Sequence, residues 1–132
     1  MSGHHLPLKE YTTMTTHVDE YAAPRAPRGL KAGGKRLWRA VADEFELAEH
    51  ELSVLLQAAR TVDALDELER IVNAEGVTHE SPQGVRAHPA LVEARQQRVT
   101  LAKLVASLRI PLEDEQQAGR LPQQRVGIRA VK

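Results

Sequence analysis

Two stretches of helical periodicity, joined by a short connection rich in turn residues, restrict this chain to a narrow range of folds. Between Glu49 and Ala74, the residues Leu52, Leu55, Ala59, Val62, Leu65 and Val72 fall on one side of a helix. Such a helix is about 40 Å long, and Gly76 ends it. Between Pro89 and Leu108, the residues Leu91, Ala94, Arg98, Leu101, Val105 and Leu108 alternate steps of three and four. That is the spacing of a coiled-coil seam with one arginine set into it. Pro89 suits the first turn of this helix, and Pro111 follows its end. Joined by the connection from Gly76 to His88, the two helices most simply form an antiparallel hairpin. Its Val77, Thr78, Ser81, Pro82, Gly84 and Val85 fit either a small β-hairpin or an extended loop.

A shorter helix precedes the pair. Leu37, Val41 and Phe45 recur at four-residue steps with Trp38 beside them, predicting a helix from Ala32 or Gly34 to Phe45. Before it, residues 1–30 carry Thr, His, Pro and Gly without periodicity and read as a disordered or extended basic arm. Met14 could serve as the natural start as readily as Met1. Residues 31–111 form the helical core, and residues 112–132 read as a flexible basic tail with too few apolar residues to fold alone. The expected fold is therefore all-α: a short N-terminal helix and a long antiparallel helical hairpin.

The chain has 132 residues, enough for one domain, and only four aromatics, Tyr11, Tyr21, Trp38 and Phe45. A slender hairpin whose burial rests on Leu, Val, Ile and Ala covers its apolar stripes better beside further copies than alone, so a homo-oligomer is expected. Cysteine is absent, which excludes disulfides, thiolate metal sites and cysteine nucleophiles. No apolar run approaches the roughly 20 residues that span a bilayer, and no signal peptide is visible at Met1. The expectation is a soluble, cytoplasmic protein without a membrane partner.

A net charge of zero conceals segregation. Pro24 to Arg39 holds six cations (Arg25, Arg28, Lys31, Lys35, Arg36 and Arg39) and no acid, whereas Ala40 to Glu80 holds eleven acids against Arg60 and Arg70. Residues 81–112 are again basic. The tail adds Arg120, Arg125, Arg129 and Lys132. Blocks of this kind suit separate surfaces for an anionic partner and for protein, although solvated faces also account for them.

Gly29, Gly34 and Lys35 match the first part of a phosphate loop, G-x-x-x-x-G-K. The next residue, Arg36, lacks the hydroxyl that would hold magnesium, and no apolar strand leads in. Nucleotide binding is not expected there, nor any other cofactor. The six histidines form no zinc-type pairing, although His79 and His88 flank one loop. Asp63 with Glu67, and Asp66 with Arg70, stand at helical i, i+4 spacing and read as a solvated acidic face. No serine lies in a nucleophile elbow, and nothing argues for catalysis. Trp38 reads as core, with base stacking the weaker alternative. Arg98 must either pair with an acid, face a water-filled channel, or snorkel at the seam edge.

Taken in order, Gly34-Lys35-Arg36-Leu37-Trp38, then Arg60-Thr61-Val62-Asp63 within a long helix, then His88-Pro89-Ala90-Leu91-Val92-Glu93-Ala94-Arg95 resemble the small subunit of tailed-phage terminases. The likeness runs from about Pro24 to Pro111, and Arg125-Val126-Gly127-Ile128-Arg129 resembles how several such chains finish. The resemblance implies a ring-forming, non-enzymatic DNA-packaging subunit in the host cytoplasm. Its partners would be double-stranded viral DNA and the large terminase subunit, which carries the ATPase and nuclease. No helix-turn-helix reader is evident, so the expected contact is electrostatic. It falls to Arg25, Arg28, Lys31, Lys35, Arg36 and Arg39, with Arg98 as a second candidate if its helix lines a channel, and Arg120, Arg125 and Arg129 for the large subunit. The rival reading is a helical adaptor or scaffold that never touches DNA.

Overall fold

The computed structural model describes Gly3, residues 21–111 and residues 129–131. Along the chain these form α1 (Ala32–Ala42), β1 (Phe45–Glu46), α2 (Glu49–Glu75), β2 (Thr78–Ser81), β3 (Gly84–Ala87), α3 (Pro89–Leu108) and β4 (Arg129–Ala130). The fold is mostly helical, with two small antiparallel sheets beside the helices: β2 with β3, which is the small hairpin that the turn residues of the connection allowed, and β1 with β4, which lies outside that expectation.

Each long helix begins and ends for a visible reason. At the start of α2, the Glu51 carboxylate reaches back to accept the Ala48 amide at 2.8 Å. Glu49 and Glu51 also lie at the positive end of the helix dipole. Gly76, at φ 89°, takes a backbone conformation closed to most side chains and ends the helix. α3 opens with Pro89 at its first position and with His88 as its cap, Nδ1 accepting the Ala90 amide at 3.0 Å. The two helices run antiparallel. Ala58, Ala90 and Ala94 are buried along them with Leu65, and their small side chains permit a close approach.

The main core sits toward the open end of this hairpin, where α1 packs on α2. Leu30, Trp38, Val41, Ala42, Phe45, Leu47, Leu55, Ala59 and Leu108 pack into one cluster. Burying the Leu55 side chain completely is worth about 1.5–3 kcal/mol. Trp38 is thus core, as its spacing with Val41 predicts, and its indole Nε1 donates to the Pro24 carbonyl at 2.9 Å.

Three boundaries differ from the sequence-based expectation. α1 ends at Ala42, not Phe45, because Phe45 turns into the core from β1, where it pairs with Ala130 while Glu46 pairs with Arg129. The last part of the arm is extended but not free. Leu30 is buried, and the Tyr21 hydroxyl lies 3.2 Å from the Ala42 carbonyl and 3.1 Å from that of Phe45, within reach of two acceptors at the end of α1. The end of the tail likewise returns to the core through β4, and the Val131 amide donates to the Glu44 carbonyl at 3.0 Å. No helix among the described residues is long and apolar enough to cross a membrane.

Candidate nucleic-acid interface

The basic segment is built around a helix whose two sides differ in kind. Gly33, Gly34, Trp38, Val41 and Ala42 turn inward, and Lys35, Arg36 and Arg39 are exposed on the other side. Arg25, Arg28 and Lys31 are exposed on the segment that leads into α1, which turns at Arg28–Gly29. None of the six forms a salt bridge among the described residues. Lys31 does act at longer range, its charge helping to hold the Glu67 carboxyl below the ordinary carboxylate range, although the main cause is the hydrogen bond from Arg70. All six are thus exposed on α1 and the segment before it, with no salt bridge among the described residues.

The glycines that imitate a phosphate loop have a packing role. A Cβ on Gly34 would lie 2.5 Å from Asp63 Oδ2 and 2.7 Å from the Ala59 carbonyl oxygen; one on Gly33 would overlap Asp66 and come within 2.9 Å of Val62 Cγ1. Only glycine lets the first turn of α1 settle onto α2 so closely. The proximity has an electrostatic result. Asp63 Oδ1 accepts the Gly34 amide and Oδ2 accepts the Lys31 amide, both at 2.7 Å. Lys31, at the cap position, offers no oxygen of its own, so the α1 amides are capped from α2. The place where a phosphate would bind at this helix end is filled by a carboxylate of the same chain.

This corrects the reading of the acidic pairs. Asp63 does not belong to a solvated face, because it accepts two amides from the start of α1; Asp66 is exposed, as expected, and lies beside Gly33. Arg70 pairs with Glu67, at 2.6 Å, and not with Asp66. A sequence signal for the Asp63 contact was present: two adjacent glycines at a helix start with no Ser, Thr, Asp or Asn to cap it call for an acceptor from elsewhere.

Arg98 lies outside the cluster. Its guanidinium is 3.3 Å from Glu69 Oε1 of α2, with both side chains about half exposed (50% and 57%). Of the possibilities open in the sequence, this is pairing across the hairpin at the seam edge, worth at most about 1 kcal/mol in so wet a setting. Arg120 and Arg125 lie outside the described residues. Arg129 takes part through its backbone in β4.

The two loop histidines do approach each other, with ring centroids 5.9 Å apart. His88 Nε2 lies 2.8 Å from Glu75 Oε2, and because Nδ1 is the acceptor for Ala90, Nε2 carries the proton donated to Glu75. This is a structural joint between the ends of α2 and α3. Among the described residues no group of three or more acidic or histidine side chains is placed to hold a metal ion.

No protein-family model, curated protein or solved structure significantly matches the chain. The features of the chain that bear on function are its own surfaces: a cationic side of α1, a plugged helix end, and a long hairpin.

Proposed function

We propose that this chain is the small, non-catalytic subunit of a tailed-phage terminase, acting in the host cytoplasm as a homo-oligomeric ring. It engages double-stranded viral DNA and recruits the large ATPase-nuclease subunit. The observation that carries the reading is the exposed set Arg25, Arg28, Lys31, Lys35, Arg36 and Arg39, uninterrupted by acids in sequence and bound by no salt bridge among the described residues. Cations held in this way contribute little to the fold and stand ready for phosphates. Asp63 at the N-terminus of α1 favours DNA over a nucleotide, because the backbone amides a nucleotide would need are already used. Repetition around a ring makes modest contacts per copy additive. Arg120, Arg125 and Arg129 are left for the large subunit, and Arg98, paired with Glu69, is a secondary DNA contact at most.

The test is binding to duplex DNA across a salt series, with the chain as it stands and with Lys35, Arg36 and Arg39 replaced by alanine. The original chain loses affinity steeply as salt rises. The triple variant binds more weakly at low salt, and its log–log slope is shallower by about 0.9 for each phosphate contact removed. Affinity absent at low salt, or indifferent to salt, removes the DNA reading and leaves the helical adaptor.

A further inference from the structure

α3 carries a second apolar stripe on the side turned away from α2. Ala90, Ala94 and Leu108 are buried against the hairpin. On the far side, Val92 and Val99 are 44% and 55% exposed, seven residues apart, and the exposed Ala106 continues the step. Exposed Arg95 and Lys103 border this stripe. A seven-residue apolar repeat on an outer helix face is the pattern of a helix that packs against another helix.

The charges decide which helix. Two α3 stripes paired antiparallel about Val99 bring Arg95 against Lys103 twice over, and paired in parallel they align like charges, so α3 is a poor partner for itself. α2 offers a better match. Between its contacts with α1 and α3, Ala64, Leu68 and Ile71 form an i, i+4, i+7 stripe that is exposed or half-buried, and Glu67 and Glu75 border it. The levels also agree. Because Arg98 pairs with Glu69 across the antiparallel hairpin, Val99 stands level with Leu68 and Lys103 level with Ala64. A copy placed alongside at the same height sets the two stripes side by side.

We infer that the outer face of α3 docks on the open α2 stripe of a second copy, Val99 meeting Leu68 and Val92 reaching the turn from Ile71 to Glu75, while Arg95 and Lys103 lie within about one helical turn of Glu75 and Glu67 respectively. The contact is heterologous: each copy gives one face and receives the other, so repetition closes a ring or continues as a filament. It rests on the oligomer in the proposed function and supplies the surfaces for it, independently of DNA.

The experiment measures particle mass in solution, with circular dichroism to check helix content. One variant, Val92→Glu with Val99→Glu, blocks the α3 face; the other, Ala64→Arg, blocks the α2 face by opposing Lys103. Both replace exposed or half-exposed side chains. The original chain is expected as a multiple of its 14.6 kDa mass, and each variant alone as a single helical chain. An equimolar mixture forms a two-chain particle, because one intact face of each kind remains. The inference is overturned if the α3 variant assembles like the original, or if the Ala64→Arg chain alone forms a stable pair, which would mean α3 docks on α3. A single-chain original protein overturns it together with the ring. Salt-dependent DNA binding by the single-chain α3 variant, which keeps all six cations, reports on the DNA reading separately.

Discussion

Asp63, in the middle of α2, accepts the backbone amide of Gly34 in the first turn of α1 at 2.7 Å, and the two residues are 29 apart in sequence. A helix of 11 residues is marginal in isolation. Here its positive end is closed by a carboxylate that only tertiary docking can supply. α1 and the α1–α2 joint therefore form together.

Replacing Asp63 with alanine leaves the Lys31 and Gly34 amides without their acceptor. The expected loss is about 1–2 kcal/mol, at the upper end of the range for an N-cap, since Lys31 offers no substitute. The measurement is the urea midpoint of the purified variant. An unchanged midpoint would mean that water satisfies these amides equally well.

Gly34→Ala separates helix propensity from packing. In an open helix the change gains up to about 1 kcal/mol. At this position the new methyl would meet the Ala59 carbonyl oxygen at 2.7 Å, part of a backbone that cannot swing aside. Overpacking of about 1–3 kcal/mol outweighs the gain, so the variant is less stable. Gly33→Ala, whose obstruction is side chain only, loses less, and thermal melts of the two variants should rank in that order.

Tyr21 gives the alkaline limb of stability a specific origin. Burial chiefly, with Glu46 and Asp43 adding to it, raises its hydroxyl above the ordinary tyrosine pKa. In the unfolded chain the phenol ionises first, so the native state holds the extra proton between the two values. This contribution is complete below about pH 10 and is lost as pH rises through the folded value. Melting temperatures between about pH 9 and about pH 11, roughly one unit either side of the ordinary tyrosine value, should fall more steeply in the original chain than in Tyr21→Phe.

His88→Ala removes the α3 cap and the bond to Glu75 together. An expected loss of about 1–2 kcal/mol follows from the cap. His88→Asn, which can still accept from the Ala90 amide, should recover most of it in chemical denaturation. Equal loss in both would place the weight on Glu75 instead.

The long helices were legible because their apolar spacing, Gly76 and Pro89 all point the same way; the expected end of α3 at Leu108 is the observed one. The turn residues of the connection allowed a hairpin, and β2 pairs with β3 through Thr78–Ala87 to Ser81–Gly84. Phe45 kept helical spacing with Val41 yet left the helix, because its backbone pairs with Ala130, a partner 85 positions away that no local pattern announces. Asp63 looked like one acid among many for the same reason. What selects it is the approach of Gly34, a tertiary fact. The six cations of the candidate interface were legible as a block, and their lack of salt bridges among the described residues became visible only in three dimensions.

The β2–β3 ribbon has a thermodynamic consequence of its own. Nearly all of its side chains are exposed, and a lone two-stranded ribbon in water is marginal at best. Its ends are held by the final turn of α2 and the His88-capped start of α3, where the His88 amide also donates to the Val77 carbonyl at 2.8 Å. Dependence therefore runs in one direction. The ribbon can open while the helices stay paired, but separating the helices removes what closes the ribbon, so it reports on the hairpin beneath it without supporting it.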